Sequence, residues 1–294
     1  MGAHVGRDMQ VPAPFEYSRA TSVEHAVALL VRHGPETRLV AGGHSLIPMM
    51  KLRLAAPELL VDINDLADLA FVAVEADVLR IGALTRHAEL LASTVVGDVA
   101  PVLHDAERSI ADAIVRNRGT VGGSVCQADP SEDLSGAFCA LRAAAVIRGE
   151  GEPRTVPMRE FFLGPYQTAV GPAEILVELR VPLWATGSAY LKVARRAGDW
   201  AVAAAAAAVR IADGLIIDAG IGLTAVGPFV AAEAEASLIG RPPTEEAFAA
   251  AGRLAAEHCR PSADQRGPVD YKRHLAGELT VRALRKATEL SGAV

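Results

Sequence analysis

Leu39-Val40-Ala41-Gly42-Gly43-His44-Ser45-Leu46 is an apolar strand that runs without a break into paired glycines and a polar pair. A later segment, Arg118-Gly119-Thr120-Val121-Gly122-Gly123-Ser124, again sets glycines among hydroxyls. Glycine lets backbone N–H groups approach a ligand closely and reach the positive φ values that build anion-binding nests. Ser45, Thr120 and Ser124 add hydroxyl donors. Two such loops facing each other can hold a pyrophosphate without any lysine. Either loop alone reads more readily as a tight turn, because short glycine patterns are common. The expectation therefore rests on the pair.

Outward from the first loop, Thr21-Ser22-Val23-Glu24 reads as a capping box, followed by Val23, Ala26, Val27 and Leu30 at helical spacing and a stop at Gly34. Arg38 to Ala41, Leu59 to Ile63 and Val78 to Ile81 read as strands, Val99 to Ile110 and Asp133 to Leu141 as helices, and Ala144 to Arg148 as extended. The character changes after Leu176-Val177-Glu178-Leu179-Arg180-Val181-Pro182. Tyr190 to Arg195, Ala201 to Ile211 and Leu215 to Leu223 then read as extended, the last two joined by Asp213-Gly214. Asp-Gly between apolar runs is a hairpin signal, since both central residues of that turn favour positive φ. Alanine prefers helix, so Ala203 to Ala208 argues locally the other way. The hairpin is the expectation adopted. Two helices, Glu245 to His258 and Val269 to Leu290, close the chain. The expected class is α+β, with a boundary near Pro182 to Gly187 dividing an N-terminal domain over 1–182 from a smaller one over 183–294.

The 294 residues suffice for two hydrophobic cores, and 29 Lys plus Arg against 35 Asp plus Glu leave a formal charge of -6. A mildly acidic chain with no basic run gives no electrostatic reason to expect nucleic acid. Cys126, Cys139 and Cys259 are far apart and form no Cys-x-x-Cys pair, so no iron–sulfur cluster or structural zinc is expected from this chain alone. Residues 1–17 lack the apolar stretch of a secretory signal, and the longest apolar run, Ala201 to Val209, is too short to span a bilayer. A cytoplasmic protein without a membrane-spanning segment is expected. Gly220-Ile221-Gly222 with Gly227 superficially matches a dinucleotide fingerprint. The third glycine comes too late and no βαβ unit surrounds it, so it reads as a strand with a bend.

Ala41-Gly42-Gly43-His44-Ser45-Leu46-Ile47-Pro48, with Lys51-Leu52-Arg53, Pro57 and Leu60-Val61-Asp62-Ile63, resembles the first FAD loop of the carbon monoxide dehydrogenase medium subunit family. That family includes the flavin subunits or domains of xanthine dehydrogenase-like enzymes. Asn117 to Ser124, followed by Asp129-Pro130 and Asp133-Leu134, is similar to its second loop. The similarity continues through Lys192-Val193-Ala194-Arg195-Arg196 with Asp199 to Tyr271-Lys272-Arg273-His274-Leu275, and so covers nearly the whole chain.

The resemblance implies a two-part FAD-binding domain of the p-cresol methylhydroxylase-like type. A smaller C-terminal domain with a three-stranded antiparallel sheet and helices would follow. It implies an oxidoreductase subunit that passes electrons from [2Fe–2S] centres of a partner to an external acceptor. FAD would be bound non-covalently. The molybdenum cofactor would lie on a large partner subunit and the [2Fe–2S] centres on a small one, in a dimer of heterotrimers. Leu39, Val40, Ala41, Gly42, Gly43, His44, Ser45 and Leu46, with Thr120, Val121, Gly122, Gly123 and Ser124, would cradle the pyrophosphate. Ile110, Asp133, Leu176 and Lys192 fall where relatives contact the cofactor, and Trp200 where a relative has an aromatic residue covering one flavin face. The resemblance assigns no catalytic or metal-ligating residue to this chain.

Without the resemblance, Ile110 and Leu176 read as core and Asp133 as a helix N-terminal charge. Lys192 then reads as a solvated strand residue and Trp200 as packing. The chain also departs from the family pattern. Cys126-Gln127 stands where Ala-His is common, and Pro130-Ser131-Glu132-Asp133 has an acidic residue where a small one is common. The competing function is a self-contained flavin oxidase with FAD joined covalently through His44, since Gly42-Gly43-His44-Ser45 also resembles such a group. That enzyme needs its own substrate pocket and catalytic base, and the order of elements after Pro182 favours the subunit.

Overall fold

The computed structural model describes residues 11–292, so most of the stretch read for a secretory signal, residues 1–10, lies outside the described residues. A small parallel sheet comes first, with Leu59–Asp62 between Glu16–Arg19 and Thr37–Val40. Helix Val23–His33 crosses between the outer two strands and buries Ala26, Val27 and Leu30. Its cap lies one residue later than the capping box suggests. Ser22, not Thr21, accepts from the His25 amide, because only from that position does a hydroxyl reach the third helical N–H. Gly34, at φ 71°, ends the helix where the pattern places it.

The second sheet is antiparallel, in the spatial order Val72–Glu75, Val78–Gly82, Ile175–Pro182, Ala144–Arg148, Arg154–Pro157. Between its strands the chain winds through a run of short helices. One expected helix, Val99 to Ile110, is broken: Thr94–Val99 ends at Ala100, and Pro101–Ser109 begins afresh. Proline disfavours helical geometry in the residue before it and suits the first helical position, which explains both the break and the restart. Asp133–Ala140 is helical and buried on all sides.

A three-stranded antiparallel sheet, Gly187–Ala194, Ala201–Ala212 and Leu215–Thr224, carries the C-terminal part. Asp213 (φ 51°) and Gly214 (φ 72°) form its tight turn, as the Asp-Gly pair requires. The alanine-rich run is a strand despite its helical propensity, and burial on both faces is the reason. Ala203, Ala205, Ala207 and Val209 face the core shared with the C-terminal helices, whereas Ala204, Ala206 and Ala208 face the N-terminal core. Small side chains let helices approach both faces closely. Helices Glu245–His258 and Val269–Leu290 cover one face, with the expected bounds.

Gly220 and Gly222 have the same structural use. A Cβ on Gly222 would lie 2.6 Å from the Gly136 carbonyl carbon, and one on Gly220 would lie 3.0 Å from that of Ala140. The glycines thus admit helix Asp133–Ala140 against the sheet. They lie in paired strand, and the chain bends after them at Ala225 to Gly227, which makes the segment a strand with a bend as its sequence suggests. Bidentate contacts of Arg159 to Glu235 and Arg142 to Asp218 tie the N-terminal elements to the C-terminal ones. Among the described residues no helix is long and apolar enough to cross a membrane.

Candidate functional site

The two glycine segments meet. A Cβ on Gly42 would sit 2.8 Å from the Gly119 Cα and closer still to the Arg118 carbonyl oxygen, so only glycine lets these backbones touch. They share one wall of a cavity of about 1140 Å³, above the ~300–1,000 Å³ usual for small-molecule sites. All of Leu39 to Leu46 line it, together with Ile110, Thr120, Gly122, Gly123, Ser124, Asp133, Leu176 and Trp200. Val121 and Lys192 do not. Val121 turns into the N-terminal core, and Lys192 lies one residue behind the wall, bonded to Asp133 at 2.8 Å and to the Ser109 carbonyl at 3.1 Å.

The segments differ in what they offer. Strand Thr37–Val40 ends at the first, Gly43 takes φ 75°, and helix Leu46–Lys51 starts directly after it. Among the described residues, none of the consecutive amides from Gly42 to Leu46 donates to another group. Five N–H groups in one short turn are an anion nest. The second segment is not a loop: Thr120 caps helix Val121–Gln127, its Oγ1 accepting from Gly123. Most of its other amides are engaged too, Gly119 to Val115 O, Val121 to Thr85 O, Gly122 to Ala83 O and Ser124 to Thr120 O. A Cβ on Gly122 would meet Ala83 at 2.6 Å, so this glycine serves packing. The Thr120 hydroxyl accepts from Gly123 and donates to nothing among the described residues, so it keeps its own proton to donate.

Charge in the wall is mostly negative, and two of its carboxylates, Glu132 and Asp133, are buried. Glu132 caps helix Asp133–Ala140 through the Leu134 and Ser135 amides and accepts from Ser124 Oγ at 2.8 Å. Asp133 accepts from Tyr190 Oη at 2.6 Å and from Lys192, and burial still lifts its carboxyl to about 6. Burial also pushes the Cys126 thiol up to about 12, so it stays protonated at neutral pH. On the opposite rim Gly198, Asp199 and Trp200 join the strands Gly187–Ala194 and Ala201–Ala212, with Gly198 (φ 75°) packed on Ala111. Trp200 is 44% exposed and His44 lies open at the lip, its Nδ1 3.0 Å from the Gly42 carbonyl.

Sequence reasoning missed Tyr190 and His87. Tyr190 was within reach, because it stands two residues before Lys192 and a strand places both on one face. His87 lines the cavity, 4% exposed, with Nδ1 against both Glu107 oxygens at 3.0 and 3.1 Å. No spacing rule links a helix-start histidine to a glutamate twenty residues on, so no local signal exists for that pair.

Comparison with known proteins covers the whole of this architecture. A family model described as the FAD binding domain in molybdopterin dehydrogenase matches residues 13–184. One described as the CO dehydrogenase flavoprotein C-terminal domain matches residues 188–287. The carbon monoxide dehydrogenase medium chain of Hydrogenophaga pseudoflava is 42% identical over 281 residues, which is 94% of this chain and 98% of that one. The solved carbon monoxide dehydrogenase of that organism, in a form lacking the Mo-pyranopterin moiety, superposes with TM-score 0.92 at 43% identity, over 95% of this chain and 99% of the other. Quinoline 2-oxidoreductase from Pseudomonas putida 86 gives TM-score 0.89 at 32% identity, over 96% and 99%.

Proposed function

Because the chain belongs to the family of FAD-binding medium subunits of carbon monoxide dehydrogenase-like molybdenum hydroxylases, we propose that it holds non-covalent FAD between an iron–sulfur partner and an external electron acceptor. The observation that carries this is the backing of Gly42 onto Arg118 and Gly119, which joins both glycine segments in one large cavity. The residues present fit the cofactor: a close backbone contact that any Cβ would fill, a run of free amides and a cavity of about 1140 Å³. Bound FAD supplies a redox centre that exchanges electrons one or two at a time, chemistry no side chain offers.

The chain's own residues position that group. The amides from Gly42 to Leu46 and the Thr120 hydroxyl donate to the diphosphate, over a surface formed by Leu39 to Ala41 and by Gly122, Gly123 and Ser124 in the first turn of the second segment's helix, with Val121 packed beneath it. Asp133 is fixed by Tyr190 and Lys192 and offers its remaining lone pairs to hydroxyl donors. Lys192 keeps positive charge just behind it. Ile110, Leu176 and Trp200 supply apolar cover that excludes water. The FAD-binding part spans 1–182 and the C-terminal part 183–294. The partners are a molybdenum-cofactor large subunit and a [2Fe–2S] small subunit in a dimer of heterotrimers, located in the cytoplasm.

Purification of the tagged chain from its own cells tests this. Molybdenum, iron, acid-labile sulfide and FAD in one complex is the expected result. A chain that isolates alone, carries flavin and oxidises a substrate unaided would overturn it in favour of the self-contained oxidase.

A further inference from the structure

We infer that His87 is a positioning residue for the cofactor, its imidazolium donating from Nε2 to the FAD diphosphate beside Gly119. The inference rests on the FAD reading and adds a charge that neither glycine segment contains. Three observations converge on this ring. First, His87 is buried yet borders the cavity. Its Nδ1 is taken by Glu107, and Nε2 has no hydrogen-bond partner among the described residues. Second, it stands directly behind the contact between the two segments. A Cβ on Gly119 would lie 2.8 Å from His87 Cδ2 and 3.3 Å from Nε2, and the same Gly119 is what Gly42 packs against. Third, the cavity is short of cations. Its other basic residues, Arg38 and His44, are exposed, and Arg38 is turned onto the carbonyls of Pro35 and Thr37.

A diphosphate entering here meets the buried carboxylates of Glu132 and Asp133 on one side, and Glu107 lies behind His87. The second segment has spent most of its amides on its own fold. A protonated His87 is therefore the group able to offset phosphate charge at that wall. Glu107 on Nδ1 fixes the ring and leaves Nε2 to the cavity. The imidazolium donates from both nitrogens, whereas the neutral ring turned this way presents a lone pair at Nε2 and repels phosphate oxygen.

The charged groups around His87 come from separate elements. They are Glu107 on helix Pro101–Ser109, Glu132 and Asp133 at the start of helix Asp133–Ala140, and Arg116 on helix Ala113–Arg118, which acts on Glu107. Burial works against the charged ring, but the carboxylates, Glu107 foremost, hold its pKa above the ordinary histidine value. Loss of the Nε2 proton as pH rises through that raised pKa removes the donor, so FAD affinity falls on the alkaline side.

The test is FAD affinity of the apoprotein as a function of pH, read by flavin fluorescence, for the wild type, His87→Gln and Glu107→Gln. Thermal unfolding is measured alongside. The wild type is expected to weaken at least about tenfold across the titration, the worth of one charge-assisted hydrogen bond. His87→Gln should bind near the wild type's alkaline affinity and lose the fall that accompanies deprotonation of the ring, keeping only the change tied to Asp133 near pH 6. In Glu107→Gln the midpoint should move to lower pH. The proposal is overturned if wild-type affinity is independent of pH, or if His87→Gln keeps the wild-type profile. If His87→Gln does not fold, the shift in Glu107→Gln decides. A wild type that binds no FAD at any pH would remove the FAD reading itself, which separates the two failures.

Discussion

Replacement of Gly42 by alanine probes the contact on which the site is built. The added methyl would lie 2.8 Å from the Gly119 Cα and nearer still to the Arg118 oxygen, below the 3.0 Å that real Cβ contacts respect. Both obstacles are backbone, so no side chain can rotate aside and the two segments must part. Overpacking of this kind costs about 1–3 kcal/mol. A displacement on the order of 0.5 Å is already at the tolerance of a pre-organised binding constellation. If one charge-assisted bond to the diphosphate is lost, at about 1.5–3 kcal/mol, the FAD dissociation constant rises roughly 10- to 100-fold. Gly97→Ala is the control, since nothing lies within 4 Å of its Cβ position and it sits in helix Thr94–Val99, where alanine is favoured. Fluorescence titration with FAD, beside thermal melts of both apoproteins, reads the effect. Gly42→Ala binding within about threefold of wild type, under 1 kcal/mol, would refute the reasoning.

Asp133→Asn should abolish a protonated-carboxyl infrared band that titrates near the value of about 6 to which burial lifts this group. With the folded pKa above the unfolded one, the stability it contributes is full below the ordinary aspartate range and is lost as pH rises through about 6. The wild-type apoprotein should therefore lose stability relative to Asp133→Asn over that interval, and parallel melting curves would count against it. Gly222→Ala forces helix Asp133–Ala140 off the sheet, because its methyl would meet the Gly136 carbonyl. It should cost more than about 3 kcal/mol in urea unfolding, at the upper end of overpacking effects. Trp200→Ala removes a half-exposed side chain outside the hydrophobic cores, so stability should change by no more than about 1 kcal/mol. The tryptophan fluorescence change on adding FAD should shrink, leaving only Trp184, which is tied to the Leu141 carbonyl.

Much of the architecture is legible wherever the signal is local. Asp213-Gly214 announces its turn because two adjacent positive-φ residues leave few alternatives. The last two helices follow from apolar spacing alone. The alanine strand was legible only through its neighbours, since the strand assignment depends on burial from both sides and not on alanine itself. The second glycine segment shows the limit. Its residues suggest an open loop, but Thr120 caps a helix there, and the amides it was expected to present are bound to Thr85, Ala83 and its own first turn. Gly220 and Gly222 likewise matter for a helix far away in sequence. His87 and Glu107 belong to the same class, because a buried pair made by tertiary packing leaves no periodic trace. The anion nest of the first glycine segment could be seen in advance; the buried histidine behind its contact with Gly119 could not.

The central claim is that this chain holds FAD non-covalently in the cavity where Gly42 meets Gly119. The most direct measurement is the visible spectrum of the purified chain after reconstitution with FAD, taken before and after acid precipitation. Intact FAD released into the supernatant, equimolar with the chain and strongly reduced in Gly42→Ala, is the predicted result. Flavin retained in the pellet would point to a covalent link through His44, and no bound flavin at all would contradict the account outright.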